Sequence, residues 1–482
     1  MIARRPPPIW LVAAALGLGL GAALGLPTRG WAQGEAPSVV LPAPEGPDAD
    51  GDPAEAPSVA SAPASSLEGL FDRFAIHGQT TFTEQAHPSF SSPYVGTNSL
   101  TPAAMGRETW DATVDLGVRL WSGAEVWIAP EIDQGFGLDD TLGVAGFPSG
   151  EAYKVGRAAP YLRLPEFFVR QTIDLGGGEV QIDAEAGQMA QTVSQNRLVV
   201  TVGKFAVTSV FDLNSYAHDP RGDFLNWTII DAGTFDYAAE AWGYSAGAAM
   251  EWYTGPWTVR GGFFLLSNVP NGPYLDTRFD QYQLIGELER RYALGAHPGK
   301  ILVTGFLSRG RMGTYADAIA YAQANGGAPS TALVRRLASR PGVSVDWQQE
   351  VTGDLGAFLR AGWADGRYEA YEFTDVDETV SGGLSLKGRA WGRVQDTVGL
   401  AGVINLASPQ LIAYLADGGL GVLVGDGKLP HPGSERIGET YYDFALNKIF
   451  DAALDYQLVV NPGYNRDRGP ASIFALRLHA QF

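Results

Sequence analysis

Apolar and polar residues alternate along short segments that recur through most of the chain. In residues 110–120 every even-numbered position is apolar, whereas the odd-numbered positions are mostly polar and include Asp111 and Asp115. Residues 472–482 repeat the pattern and place the terminal Phe482 on the apolar side. A β-strand directs successive side chains to opposite faces, so each segment predicts a strand with one apolar and one polar face. Such strands fit a barrel between lipid and water, although a soluble edge strand alternates in the same way.

The connections between these segments also alternate, between short turns and long loops. Short turns on one side and long loops on the other are typical of bacterial outer-membrane barrels. A soluble sandwich or propeller does not sort its connections in this manner. The predicted short turns are 122–123, 176–178, 254–256, 297–299, 352–354 and 447–448, and the predicted long loops are 86–108, 134–160, 268–279, 309–342, 365–377 and 406–436.

The predicted fold is all-β: a transmembrane antiparallel β-barrel, for which the pattern favours 16 strands and leaves 18 open. If 179–189 and 197–205 both span the membrane, a further strand is needed and the total is 18. If only one of them spans, residues 206–239 form a long insertion folded into the lumen. Short helices are predicted in one extracellular loop, at Tyr315–Ala324 and from Ser330 to just before Pro341.

The N-terminal region predicts export. Two arginines precede an apolar run at 9–26, and small residues follow it, so residues 1–32 are interpreted as a secretory signal peptide. Residues 33–66 contain many Pro, Ala and Ser, six acids and no Lys or Arg, which is typical of a disordered periplasmic linker. The barrel domain is assigned to residues 67–482. The predicted location is the outer membrane of a Gram-negative cell.

Composition excludes several classes of chemistry. A net charge of -19 argues against a nucleic-acid partner, whose phosphates need Lys and Arg. The chain has no cysteine, so disulfides and thiolate metal sites are excluded. Its six histidines are scattered, and we find neither a nucleophile elbow nor metal-ligand spacing. We therefore expect no cofactor, no metal and no enzymatic activity, and a barrel enzyme is the less favoured alternative.

One stretch departs from the alternation and carries a resemblance. It contains GK at 203–204, FDLNSYAHDPRGDFLNW at 211–227 and FDYAA at 235–239, and EIDQGFGL stands upstream at 131–138. These strings resemble the carbohydrate-selective porin family, the OprB-like outer-membrane porins, over about residues 75–482. The resemblance implies a 16-stranded barrel that passes glucose-like sugars by diffusion. It also implies a constriction lined by charged residues, notably arginines, with aromatic residues beside them.

Two groups of residues are candidates for the pore. Strand parity directs the first group inward, although a wet lumen is polar in any case. The motif predicts the second, whose Asp and Asn residues either brace an inward loop or contact sugar, with Tyr216 and Trp227 as stacking platforms. The pore-lining candidates are Arg119, Glu125, Trp127, Glu131, Asp133, Arg170, Arg260 and Arg360, and the motif candidates are Asp212, Asn214, Tyr216, Asp219, Arg221, Asn226 and Trp227. We expect Arg119, Arg170, Arg260 and Arg360 to shape the constriction.

The sequence thus predicts an outer-membrane porin for glucose-like sugars. A general or anion-selective porin and an envelope anchor acting through residues 33–66 remain alternatives. The expected partners are outer-membrane lipid and lipopolysaccharide, small sugars, and the barrel-assembly machinery through the last strand. The protein is expected to be a monomer or a homotrimer. The last strand must pair with the first, near residues 75–85, because an open edge in lipid leaves backbone groups unpaired.

Overall fold

A computed structural model describes residues 73–152 and 156–482. Sixteen antiparallel strands close into one barrel, and two short strands, β5 and β6, form a separate hairpin. In chain order the strands are β1 (Phe74–His87), β2 (Met105–Trp121), β3 (Ala124–Gly135), β4 (Arg157–Asp174), β5 (Glu179–Ile182), β6 (Gln191–Ser194), β7 (Arg197–Ala206), β8 (Tyr244–Thr254), β9 (Trp257–Leu265), β10 (Tyr282–Leu294), β11 (His297–Met312), β12 (Arg336–Thr352), β13 (Leu355–Ala364), β14 (Glu378–Gly388), β15 (Arg393–Leu406), β16 (Glu435–Ala445), β17 (Phe450–Val460) and β18 (Ala471–Gln481).

Helices are short and lie in the connections. Within the described residues, no helix is long and apolar enough to cross a membrane. The α-helices are α1 (Trp227–Ile230), α2 (Tyr315–Asn325) and α3 (Pro409–Ala416), and single 3-10 turns lie at Leu138–Thr141, Val207–Ser209, Thr331–Leu333, Arg389–Trp391 and Pro462–Tyr464.

The alternation of the sequence becomes an inside and an outside of the barrel. On β2, Asp111 and Asp115 are buried in the lumen, while Val114 and Leu116 are exposed on the outer surface. The barrel closes where β1 pairs with β18, with Phe82 opposite Leu478. The prediction that the last strand pairs with the first is therefore confirmed.

The strand count of 16 is confirmed, and the ambiguous region is resolved by pairing. β4 pairs directly with β7, with Phe168 opposite Gly203, so no further strand fits between them. Residues 179–194 fold on themselves as the β5–β6 hairpin, since Glu185 and Gln188 form a bridge at its tip. The insertion after β7 enters the lumen, as expected for the 16-stranded alternative.

Several predicted boundaries differ from the structure. Residues 297–299 begin β11, and the turn lies two residues earlier, where Gly295 adopts a φ of 65°. The short turn at 176–178 continues into the β5–β6 hairpin. The second helix, predicted from Ser330, is wrong: one 3-10 turn is followed by β12, which runs through Pro341 opposite Leu307. Long-range pairing with β11 therefore outweighs the local helix signal. The predicted signal peptide and linker lie outside the described residues.

Candidate functional site

The connection from β7 to β8, residues 207–243, folds into the lumen, and we call it the inward segment. Its aromatic residues form an apolar core with the inner wall of the barrel. Phe224 packs edge-on against Tyr441 with ring centroids 4.9 Å apart, and Phe211 packs against Phe264 at 6.2 Å. Burial of this apolar surface inside the barrel holds the segment against one wall.

One arginine of the wall binds the backbone of the inward segment at three points. Arg360 of β13 donates hydrogen bonds to the carbonyl oxygens of Ala217 (2.8 Å), Ile229 (2.7 Å) and Asp212 (3.2 Å). Its charge is paired with Asp346 at 3.0 Å, and the side chain is 0% exposed. Arg360 therefore fastens the segment to the wall and has no surface in open space.

Wall carboxylates satisfy the backbone N–H groups of the same segment. Glu287 accepts from Asp212 N at 2.8 Å, and Glu439 accepts from the backbone nitrogens of Leu225 (2.5 Å) and Asn226 (3.0 Å). A buried backbone donor needs such a partner, since leaving it unpaired is costly. The segment has irregular backbone, so the inward side chains of the strands supply partners that a helix or sheet would otherwise provide.

The motif residues with amide and carboxylate side chains mostly brace this segment. Asp212 adopts a φ of 60° and accepts from Ala232 N at 2.6 Å. Asn214 donates to Asp346, and Asn226 caps α1 through Thr228 N. Each of these hydrogen bonds holds the segment in place, and contact of these residues with sugar stays a prediction.

A second loop, of which residues 136–152 are described, packs on the inward segment from the extracellular side. Phe147 stacks on Trp227 with ring centroids 5.4 Å apart and an interplanar angle of 10°. Gly150 N donates to Leu225 O at 2.8 Å, and Glu435 accepts from Gly146 N at 2.8 Å. Trp227 is 2% exposed, so its ring is occupied by this packing.

The open space of the lumen lies between the inward segment and the barrel wall, against β1–β4 in its outer and middle parts and against β12–β18 at its periplasmic end. Three cavities follow it, and Arg221 lines all of them. The outer cavity, about 1040 Å³, reaches Phe147 and Glu151 near the extracellular loops. The wall cavity, about 850 Å³, is bounded by Asp115 and Glu166, and the periplasmic cavity, about 1170 Å³, reaches the turn after β12.

Arg221 stands at the junction of the three cavities, and we call it the eyelet arginine. Its guanidinium lies 3.4 Å from Glu151 and 3.7 Å from Asp111, and its side chain remains 21% exposed. Burial lowers the pKa of Arg221, but the nearby carboxylates outweigh it and raise the pKa well above its usual value. The group is therefore a fixed positive charge held between two carboxyl groups.

A histidine of the inward segment borders two of these cavities. His218 Nδ1 lies 3.5 Å from Asp231. Burial lowers the pKa of His218, but the Asp231 carboxylate outweighs this effect, so the pKa is raised above its ordinary value. Its charge state therefore depends on Asp231 as well as on burial.

The opposite wall combines charges with aromatic rings. Arg163 of β4 is paired with both Glu131 and Asp133 of β3. The Arg163 guanidinium lies 5.6 Å from the ring of Trp242 and 5.2 Å from that of Tyr244. All but Asp133 line the outer cavity, so a solute there meets both charges and aromatic faces.

The β5–β6 hairpin covers several predicted pore-lining residues near the periplasmic end. Glu125 accepts from Met189 N at 3.3 Å and from the Trp127 indole at 3.0 Å. Arg119 donates to Ala190 O at 2.7 Å, and Arg170 donates to Gly187 O at 2.6 Å. These side chains point inward, as parity predicts, but the hairpin lies over them.

The four arginines predicted to shape the constriction are each engaged by other groups of the described structure, so their role in the constriction stays a prediction. Arg360 is sealed behind the inward segment, and Arg260 is 4% exposed within a cluster of Glu251, Glu287 and Glu289. Arg119 and Arg170 are engaged by the hairpin. None of the four lines the three cavities of the described part of the chain.

The remaining predictions are distributed along the passage. Glu131 lines the outer and wall cavities, and Asp133 is paired beside it. Tyr216 and Asp219 line the periplasmic cavity. The sequence analysis missed Arg163 because the pairing of β3 with β4 shifts register between Ala129 and Glu131. Beyond such a shift, the alternation of inward and outward side chains along β4 changes phase. Pro165 in β4 indicates this irregularity in the sequence, because a proline cannot donate a backbone hydrogen bond within a sheet.

A closed barrel with a loop folded inward around a polar passage defines a porin-type diffusion channel. The sequence matches the family model described as carbohydrate-selective porin, OprB family, over residues 97–482. The chain therefore belongs to this family, and the resemblance identified from the central motif is confirmed. It is a porin, and its family and fold imply the outer membrane of a Gram-negative cell.

Two solved structures are similar to the chain, and the first of them shows the same fold. A high-pH structure of OprB from Pseudomonas putida has a TM-score of 0.63 at 15% identity, covering 86% of this chain and 96% of that one. The outer-membrane channel DcaP of Acinetobacter baumannii has a TM-score of 0.46 at 12% identity, covering 85% of this chain and 97% of that one. No curated protein matches the sequence.

Proposed function

We propose that this porin passes neutral sugars by diffusion along the route past the eyelet arginine. The observation that carries the proposal is the composition of the passage at Arg221. Carboxylates and a guanidinium there stand within one cavity with the aromatic rings of Trp242 and Tyr244. A sugar presents hydroxyl groups that exchange hydrogen bonds with charged groups, and a less polar ring face that fits an aromatic surface. Contacts of both kinds replace water without trapping the solute.

The charges of the passage favour a neutral solute over an anion. Carboxylates outnumber cationic side chains along the three cavities, and Arg221 is already balanced by Glu151 and Asp111. An anion would meet repulsion that a neutral sugar does not. The lining carboxylates are Asp115, Glu131, Glu151, Glu166, Asp219, Asp223, Asp231, Glu240, Glu350, Asp354, Asp443 and Asp451, and the lining Arg and Lys residues are Arg163, Arg221 and Lys387.

Liposome swelling tests the proposal directly. Purified protein in vesicles should admit glucose faster than a neutral polyol of similar size, and sucrose more slowly than glucose. Replacement of the eyelet arginine in R221A should reduce the preference for glucose over the polyol, whereas R278A, at a loop arginine that is 66% exposed, should not. Rates that scale with size alone would instead indicate a general pore. Strong anion selectivity without glucose uptake would indicate an anion channel.

The membrane partners are part of the same proposal. Leu476 and Leu478 are exposed on the outer face of β18, and Phe482 is 73% exposed, which supports contact with lipid. We propose that the assembly machinery reads this strand, so F482S should lower the yield of folded barrel in the outer membrane. We also propose that residues 1–32 are removed on export and that 33–66 remain as a periplasmic linker. Mass spectrometry of the mature N-terminus tests the first of these, and native mass spectrometry distinguishes a monomer from a homotrimer.

A further inference from the structure

The wall cavity beneath the eyelet arginine contains carboxylates whose charge is not balanced by the arginines nearby. Asp115 of β2 is 5% exposed, and its Oδ2 atom has no hydrogen-bond partner among the described residues. Glu166 of β4 accepts one backbone hydrogen bond, from Ala206 N at 3.2 Å. Both side chains line the wall cavity. A buried carboxylate oxygen without a donor leaves room for a donor supplied by the solute.

Two neighbouring arginines already have carboxylate partners. Arg163 is paired with Glu131 and Asp133 on the adjoining level of the wall. Arg221, which also lines the wall cavity, lies between Glu151 and Asp111. Within residues 73–152 and 156–482, neither Asp115 nor Glu166 forms an ion pair with an Arg, Lys or His side chain. Carboxylates therefore outnumber cationic side chains in the lining of this cavity.

Strand register places the two carboxylates at one height on the wall. Leu116, next to Asp115, pairs with Ile128, and the adjoining Ala129 pairs with Glu166. One strand separates β2 from β4, so the two backbones are about 10 Å apart. That spacing admits a small cation between the two side chains. No group of metal-binding side chains is found among the described residues.

The cavity also provides an aromatic surface and neutral polar groups. Tyr244 lines it opposite the carboxylates, and Gln79 and Thr113 supply amide and hydroxyl groups. The space in and around the cavity, about 850 Å³ including open solvent, exceeds the volume of a monosaccharide. A sugar ring could lie against Tyr244 while a cationic substituent faces Asp115 and Glu166.

We propose that the wall cavity is a subsite for sugars that bear a protonated amine, such as hexosamines at neutral pH. The inference rests on the proposed sugar pathway and adds a substrate class to it. An ammonium group donates three hydrogen bonds and matches the uncompensated carboxylates, whereas a neutral sugar lacks the charge and a uronate is repelled.

Swelling assays with four related sugars at pH 7 test the subsite. Glucosamine should enter vesicles faster than glucose, N-acetylglucosamine should show no such advantage, and glucuronate should enter most slowly. In the double variant D115N/E166Q the ratio of glucosamine to glucose uptake should fall to one. The matched control D280N/E108Q, at two exposed carboxylates outside the cavity, should keep the ratio of the unmodified protein.

A second measurement leaves both carboxylates in place, in case the double variant does not assemble. Ala186 lines the wall cavity, and the chain has no cysteine, so A186C introduces a single thiol there. A cationic methanethiosulfonate should modify it faster than an anionic one, and glucosamine should slow that reaction more than glucose does. Equal modification rates, or equal uptake of glucosamine and glucose, would overturn the subsite while leaving glucose conduction intact. Absence of uptake for every sugar would overturn the proposed function as well.

Discussion

The two halves of the barrel wall use inward-facing charges in opposite ways. On β10, β12, β13 and β16 several inward charges are buried against the inward segment, as Arg360 and Glu439 illustrate, whereas Glu350 and Asp443 near the periplasmic end line a cavity. On β2–β4 they border open space, as Asp115 and Glu131 illustrate. Parity alone assigns all of them to the lumen. The difference comes from the inward segment. A charged side chain that this segment covers binds its backbone, whereas a charged side chain that the segment leaves uncovered lines the open passage.

The largest effect is expected from replacing Arg360, which holds the inward segment to the wall. In R360A the inward segment loses three hydrogen bonds, and Asp346 loses its ion-pair partner. We expect a loss of about 3–5 kcal/mol in the free energy of unfolding, as for other broken buried ion pairs. Single-channel conductance should rise because the segment is no longer held to the wall.

Denaturant titration of the barrel in vesicles and planar-bilayer recordings measure the two effects. R336A, at an arginine that is 63% exposed, is the matched control and should change neither. Unchanged conductance in a folded R360A barrel would show that the apolar packing of Phe224 and Phe211 suffices to hold the segment.

Replacement of the eyelet arginine tests the boundary between the two halves. In R221A the route widens and a positive charge is lost, so conductance should rise and the reversal potential should shift further toward cation selectivity. The stability change should be smaller than for R360A, because the side chain is partly exposed and its carboxylate contacts lie at 3.4 and 3.7 Å. Reversal potentials under a salt gradient provide the measurement, and a shift toward anions would contradict the assignment.

Removal of the β5–β6 hairpin would extend the open half toward the periplasm. Gln195 N lies 2.7 Å from Gly178 O, so residues 179–194 can be deleted and the two ends joined directly. The deletion should uncover Arg119, Glu125 and Arg170 and should raise conductance less than R360A does. Q181A, which removes only an exposed side-chain bond of the hairpin, is the control. A conductance equal to that of the control would mean that the hairpin does not narrow the route.

The smallest effect is expected in the loops above the braced half. Asp375 accepts hydrogen bonds from the backbone nitrogens of Val422, Leu423 and Val424, and burial raises its pKa to about 6. Because the folded pKa lies above the unfolded value, the stabilisation is complete below about pH 4 and is lost as the pH rises through about 6.

Hydrogen exchange of residues 422–424, corrected for intrinsic rates, should therefore show more protection at pH 4 than at pH 7.5. D375N, which keeps the shape and removes the charge, should abolish the difference. If the protection of residues 422–424 increased with pH, the predicted direction of the pH dependence would be wrong.

The barrel itself was predictable because its cause is local. Alternation with period two is visible in each strand, and the barrel-closing pair of β1 and β18 follows from the need to satisfy edge groups in lipid. The interior was predictable only in part. The strand count predicted the inward segment, and the residue types of Asp212, Asn214 and Asn226 predicted either bracing of that segment or contact with sugar.

The identity of the lining residues was not predictable, because it depends on contacts distant in sequence. Arg360 and Arg221 are both charged and inward-facing, but only the folded inward segment separates a sealed guanidinium from an accessible one. Arg163 was hidden by the register shift beside Pro165. The hairpin over Arg119 and Arg170 was interpreted as a candidate strand, since its short segments alternate like the others.

The closing pair of strands has a consequence for how the protein is made. Each other pair in the barrel joins strands that are consecutive or separated by one small hairpin, so it can form while synthesis or insertion is still under way. The pairing of β1 with β18 joins residues as distant as Thr81 and His479, which are 398 positions apart. Such contacts form late, because a long loop must close before they contribute. A chain cut short before Ala471 would keep fifteen of its barrel strands and still present two unpaired edges to the membrane. The barrel can therefore close only if the last barrel strand has been made. A quality-control step that senses an open sheet edge could distinguish a barrel without this strand from a closed one.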